Sequence, residues 1–257
     1  MRRFILGLAT VLIVGCSTAP TSFTPSHPIP SSQVSHKLWQ ELLRAHVHDG
    51  VVEYPAISRQ DRIPSYLALL DRVDPTGLPM QDRLAFWINA YNAFAVKGIL
   101  DGYSPSTLVG RYRYFIAREY PVGGRTVNLY NLEREILIAQ FQEPRMHFAI
   151  VCASASCPNL QPWAYEGLHL EQQLEQVTRE FINDPSRNRF DPSSKVASLS
   201  MIFKWFEKDF EARAGSVLNF VRDYVLDTSL KQDLSAADYT VEFLDYDWSL
   251  NGPPPQL

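Results

Sequence analysis

His147-Phe-Ala-Ile-Val-Cys152-Ala-Ser-Ala-Ser-Cys157-Pro158 is an apolar run that ends in a small-residue loop carrying two thiols. Residues 147–152 are short and free of acidic or strongly basic side chains, with Pro144 upstream and small residues downstream, which predicts a buried strand. Side chains alternate along a strand, so His147, Ala149 and Val151 would share one face and Phe148, Ile150 and Cys152 the other. Cys152 would then point away from His147, and only Cys157 could return to it through the loop 153–156. Pro158 suits a first helical position, which would place Cys157 at a helix N-terminus, where the dipole favours a thiolate.

Two outcomes stand side by side. In one, Cys157 is a nucleophile, His147 its general base, and Glu133 or Asn92 orients the imidazole. In the other, Cys152 and Cys157 form a disulfide beside a packed histidine. The spacing of His147, Cys152 and Cys157 fits no common zinc pattern, and the chain contains no GxGxxG and no P-loop, so neither a metal nor a cofactor is expected.

The chain's start sets the compartment. Arg2-Arg3, an uncharged run over 4–14 and then Ile13-Val14-Gly15-Cys16 resemble a bacterial lipoprotein leader, with Cys16 as the lipidated residue. The run is too short to span a bilayer. Ser17 after Cys16 resembles outer-membrane sorting, so the expected location is the periplasmic face of that membrane, anchored by lipid. That compartment is oxidising, and with Cys16 consumed only Cys152 and Cys157 remain. Losing Arg2 and Arg3 takes the net charge from −4 to −6, which excludes the basic face a nucleic-acid partner requires.

Residues 17–34, rich in Pro, Ser and Thr, read as a tether, residues 35–251 as one globular domain and residues 252–257 as a Pro-rich tail. Within the domain, apolar spacing predicts helices over 38–48 and 63–73 and a long one from Met80 to Leu100, apolar around most of its circumference and therefore buried. Asn89 and Asn92 lie three apart inside it, so their amides are expected to pin neighbouring loops. Gly123-Gly124 predicts a hairpin over 120–127. Glu133 falls near the start of a short helix, where a carboxylate suits the dipole. Further helices are expected from Leu170 to Phe181, along Phe203, Phe206 and Phe210, and over 217–225, with a half-buried strand over 240–248. The basic and aromatic run 111–118 reads as a solvated edge.

Ala85-Phe-Trp-Ile-Asn-Ala-Tyr-Asn-Ala93, Arg145-Met-His-Phe-Ala-Ile-Val-Cys152 through Cys157-Pro158, Ile202-Phe-Lys-Trp-Phe206 with Asp209-Phe210, and Tyr246-Asp-Trp-Ser-Leu-Asn251 together resemble the family named domain of unknown function 547, over residues 38–251. Arg134 departs from it, standing where many members carry histidine. The resemblance implies a domain and no mechanism. Its layout is loosely similar to papain-like and transglutaminase-like folds, which implies an α+β domain with a buried central helix on a mainly antiparallel sheet. The expected function is that of an envelope lipoprotein acting as a binding or assembly module for a peptide or protein. The alternative is a hydrolase or acyl transferase acting on an amide or ester through Cys157 and His147.

Overall fold

The fold is assembled around a helix whose sequence carries both of its stop signals. Pro79 precedes it and Asp101-Gly102 follows, while Asp82 in the first turn and Lys97 in the last complement the helix dipole. In the computed structural model, which describes residues 22–255, this helix runs from Met80 to Leu100, and from Leu84 to Ile99 every residue except Lys97 is buried. Gly98 is required by the contact there: a Cβ would lie 2.7 Å from the Tyr120 hydroxyl and 2.8 Å from the Tyr114 ring.

The chain is one α+β domain. It opens with α1 (Lys37–His46), the strand pair β1 (Val47–His48) and β2 (Val51–Val52), α2 (Tyr54–Ile57), α3 (Arg62–Leu70) and the central α4 (Met80–Leu100). After α4 come α5 (Leu108–Tyr112), a π-helical turn (Arg113–Ala117), and the antiparallel hairpin β3 (Tyr120–Val122) and β4 (Arg125–Val127), turned by Gly123 and Gly124 at positive φ. A second π-helical segment (Leu132–Ile138) lies between α6 (Leu129–Asn131) and α7 (Ala139–Phe141). Beyond a 3₁₀ turn (Pro144–Phe148) and a long irregular stretch come α8 (Leu170–Ile182), β5 (Arg189–Asp191) and β6 (Val196–Leu199). The chain closes with α9 (Met201–Trp205), α10 (Glu207–Ala214), α11 (Val217–Tyr224), α12 (Thr228–Ala236) and β7 (Thr240–Phe243), which adds to β6 in parallel with Val196 opposite Thr240. The three sheets have two, two and three strands, so the likeness to papain-like folds is loose.

Three expectations change. Residues 147–152 are not a strand: His147 belongs to the 3₁₀ turn, and the backbone from Ala149 to Val151 finds its partners elsewhere. The N–H groups of Ala149 and Ile150 both donate to the Met146 carbonyl, the Asn92 amide donates to the Ala149 carbonyl at 2.9 Å, and Val151 N–H donates to Asn92 Oδ1 at 2.8 Å. Cys157 is not at a helix N-terminus, because no helical turn follows until Gly167–His169. Part of the expected tether is docked: Thr24 N–H donates to the Gly123 carbonyl, Ile29 N–H to that of Arg72, and the Phe23 ring lies 5.5 Å from Trp87. Cys16 and the leader lie outside the described residues.

Candidate functional site

Asn89 and Asn92 act as the sequence predicts, each pairing one backbone C=O and one backbone N–H: Asn89 bonds both N–H and C=O of Tyr165, and Asn92 holds the C=O of Ala149 and the N–H of Val151. Asn92 therefore does not orient His147. Asp209 does, accepting from His147 Nε2 at 2.8 Å from a sequence distance of 62 residues. Burial lowers the imidazole pKa against the opposing pull of Asp209, so His147 is neutral at pH 7, with its proton on the nitrogen facing Asp209. Its Nδ1 is buried and has no partner among the described residues.

One wall of this histidine comes from an irregularity. The expected helical stripe of Phe203, Phe206 and Phe210 is interrupted at Phe206 (φ −119°, ψ 24°), between α9 and α10. Phe203 and Phe210 enter the core, whereas Phe206 turns onto the His147 ring, centroids 3.9 Å apart.

His147 and Phe206 line a cavity of about 360 Å³, a size suited to a small ligand or a side chain and its neighbours. Glu133 and Arg134 reach it from the second π-helical segment, Phe115 and Ile116 from the first, Tyr91 from α4, and Trp205, Tyr246 and Trp248 from the C-terminal third. Its surface is predominantly apolar and aromatic. Asp209 lies outside it and meets His147 from the far side. Cys152 and Cys157 both line it, so strand alternation misplaced Cys152, which shares the cavity with His147. Their sulfurs are at disulfide-bonding distance, with Cα atoms 6.2 Å apart. Among the described residues no three His, Cys, Asp or Glu side chains converge as a metal site, and no helix is long and apolar enough to cross a membrane.

The run 111–118 is not merely a solvated edge. Arg111 packs over Trp248, 4.4 Å from its centroid, and Arg134 packs over Phe206 at 4.7 Å. Neither guanidinium has an ion-pair partner among the described residues. Around the mouth, Tyr112, Ile116, Tyr130 and Trp205 expose apolar surface, and Leu108 and Val109 extend it.

Residues 75–182 match the family described as protein of unknown function, DUF547. The matched stretch is shorter than the 38–251 suggested by the sequence motifs, but it holds Asn92, Glu133, His147 and both cysteines. Asp209 and Tyr246 lie beyond the DUF547 match, so the cavity is completed by chain that the match does not cover. No curated protein and no solved structure matches the chain.

Burial raises the Glu133 carboxyl to about 7, against the nearby Arg134 and with Asp209 adding to the rise. The folded state thus keeps a proton on Glu133 that the unfolded chain releases above about pH 4.5. Stability drains away as pH rises from about 4.5 to about 7 and is level above that. Glu133→Gln, which carries no such penalty, is expected to be indistinguishable from wild type at pH 4 and more stable by up to about 3 kcal/mol at pH 8. Urea denaturation across this range checks it, and a difference that stays constant with pH contradicts it.

Proposed function

We propose that this protein is a lipid-anchored binding module of the bacterial cell envelope, held through Cys16 at the periplasmic face of the outer membrane. Its partner is a polypeptide that inserts an apolar side chain lying next to a carboxylate. The observation that carries this is the pairing of an aromatic cavity with Arg111 and Arg134, two cations stacked on its walls without an acidic partner among the described residues. An apolar body and an anionic group together satisfy both features. The exposed apolar rim around Tyr112, Ile116, Tyr130 and Trp205 extends the contact surface beyond the cavity, which suits a macromolecule better than a free metabolite. Glu133, held largely protonated below pH 7, does not oppose an anion there.

The alternative hydrolase or acyl transferase needs Cys157 as a free thiol. Disulfide pairing with Cys152 favours the binding module.

The test uses a phenylalanine-terminated tripeptide as its free acid and as its amide, followed by the fluorescence of Trp205 and Trp248 in the cavity wall. Saturable binding is expected, with the acid at least about fivefold tighter than the amide, a difference of about 1 kcal/mol. The double variant Arg111→Gln, Arg134→Gln should bind acid and amide alike. Equal affinities in the wild type, or no saturable signal, would overturn the proposal.

A further inference from the structure

We infer that the Cys152–Cys157 disulfide in the cavity wall is redox-active and exchanges with thiols that enter the cavity. The inference rests on the same cavity as the proposed binding function, but it predicts an activity that does not depend on Arg111 or Arg134.

The hydrogen bonds around the two sulfurs are unequal. Among the described residues only Cys157 Sγ accepts a backbone N–H, that of Cys152 at 2.9 Å; the Tyr246 hydroxyl lies between the sulfurs, 3.2 Å from Cys157 Sγ and 3.3 Å from Cys152 Sγ, and the Ser154 hydroxyl is 3.1 Å from Cys152 Sγ and 2.9 Å from the Tyr246 oxygen. Burial raises the Tyr246 phenol, so it stays protonated and remains a donor. A sulfur within a disulfide is a weak acceptor and a thiolate is a strong one, so the bonds from Tyr246 and from the Cys152 N–H strengthen when the disulfide opens. The backbone donor, which serves Cys157 alone of the two, identifies Cys157 as the leaving sulfur, since the better-stabilised thiolate leaves faster. Access agrees: both cysteines line the cavity, but Cys157 is buried whereas Cys152 is half-buried.

The loop is also held without the covalent bond. Ser154 forms a β-bridge with Leu250, the N–H groups of Ala155 and Ser156 donate to Ser249 and Asp247, and Arg187 donates twice to the Cys157 carbonyl. Asn92 secures the chain just upstream. A disulfide across so short a loop removes little unfolded-chain entropy, and the loop keeps its non-covalent bonds when the sulfurs separate. Both redox states can therefore be folded, which an exchange cycle requires.

The chemistry is thiol–disulfide exchange. A substrate thiolate attacks Cys152 Sγ, forming a mixed disulfide and breaking the Cys152–Cys157 bond, whose electron pair stays on Cys157. A second substrate thiolate attacks the substrate sulfur of the mixed disulfide and releases Cys152. The substrate leaves as a disulfide, oxidised by two electrons, and the protein is left as a dithiol carrying the two protons the substrate thiols lost. An incoming disulfide reverses these steps and reoxidises the protein. The substrate class is a thiol carried on an apolar or aromatic body.

The test equilibrates the native, mature protein in mixtures of reduced and oxidised glutathione, quenches with an alkylating agent and reads the two cysteines by intact mass. Reversible reduction without denaturant is expected, with near-ultraviolet circular dichroism retained. Tyr246→Phe keeps the ring and removes the donor, and should shift the equilibrium about tenfold toward the disulfide, ~30 mV for this two-electron couple. Ser154→Ala should shift it the same way by less. In a rate comparison, 2-phenylethanethiol should reduce the wild type at least about tenfold faster than 2-mercaptoethanol at equal thiolate concentration. Two free thiols in the untreated protein, reduction only after unfolding in denaturant, or a Tyr246→Phe equilibrium equal to wild type would each overturn the inference. Because no peptide is present, failure of tripeptide binding leaves this result unaffected, and the reverse holds as well.

Discussion

Asn92→Ala is expected to destabilise the domain by about 4 kcal/mol, the largest effect of any single polar substitution in the site. The amide satisfies one buried carbonyl and one buried N–H, those of Ala149 and Val151, and neither has another partner among the described residues. Each unpaired buried group costs about 1–3 kcal/mol, and no water reaches a side chain that is only 2% exposed. Asn92→Asp separates the two bonds: it can still accept from Val151 N–H but cannot donate to the Ala149 carbonyl, and it adds a buried charge. It should be at least as damaging as alanine. Urea denaturation followed by near-ultraviolet circular dichroism measures both, and a loss below about 1 kcal/mol for either would show that residues 149–151 are held by something else.

Phe148→Ala is expected to cost about 3–5 kcal/mol, because it empties the centre of a buried aromatic cluster. The Phe148 ring is 4.8 Å from Phe181, 5.6 Å from Phe203 and 5.8 Å from Phe210, and it is 1% exposed. Phe206→Ala is the informative partner experiment. Phe206 is only partly buried: it touches the core from its edge and otherwise packs on His147 at the cavity wall, so its truncation should cost less than about 2 kcal/mol in stability. Thermal or urea unfolding of the two variants checks the contrast. Equal losses would mean that Phe206 is a core residue and that the cavity is closed in solution.

The neighbourhood of His147 shows what kind of information each level holds. The neutral imidazole comes from the 3₁₀ turn, whereas its Asp209 partner and the stacked Phe206 come from the start of α10, and no spacing links residues 62 apart. Asp209 and Tyr246 both stand in segments that the family resemblance singles out, so a signal was present, but it carried no role. Only proximity assigned one: Asp209 to the imidazole and Tyr246 to the sulfurs of Cys152 and Cys157. Arg134, notable in the sequence as a missing histidine, acquires a meaning from its place over Phe206 at the cavity wall.

What the sequence determined by itself is local and periodic. The bounds of α4 follow from Pro79, Asp101-Gly102 and an apolar pattern covering the whole helix. The β3–β4 hairpin follows from two glycines that adopt positive φ, and the pinning role of Asn89 and Asn92 follows from the cost of leaving a buried amide unpaired. Tertiary structure alone decided residues 147–157. An apolar run buried on all sides has no period to distinguish a strand from any other covered backbone, and its hydrogen-bond partner was a side chain on α4 instead of a neighbouring strand. Once strand alternation no longer applied, nothing kept Cys152 and His147 on opposite faces. The turn at Pro144–Phe148 and the positive φ at Ala153 bring the histidine and both sulfurs to one cavity.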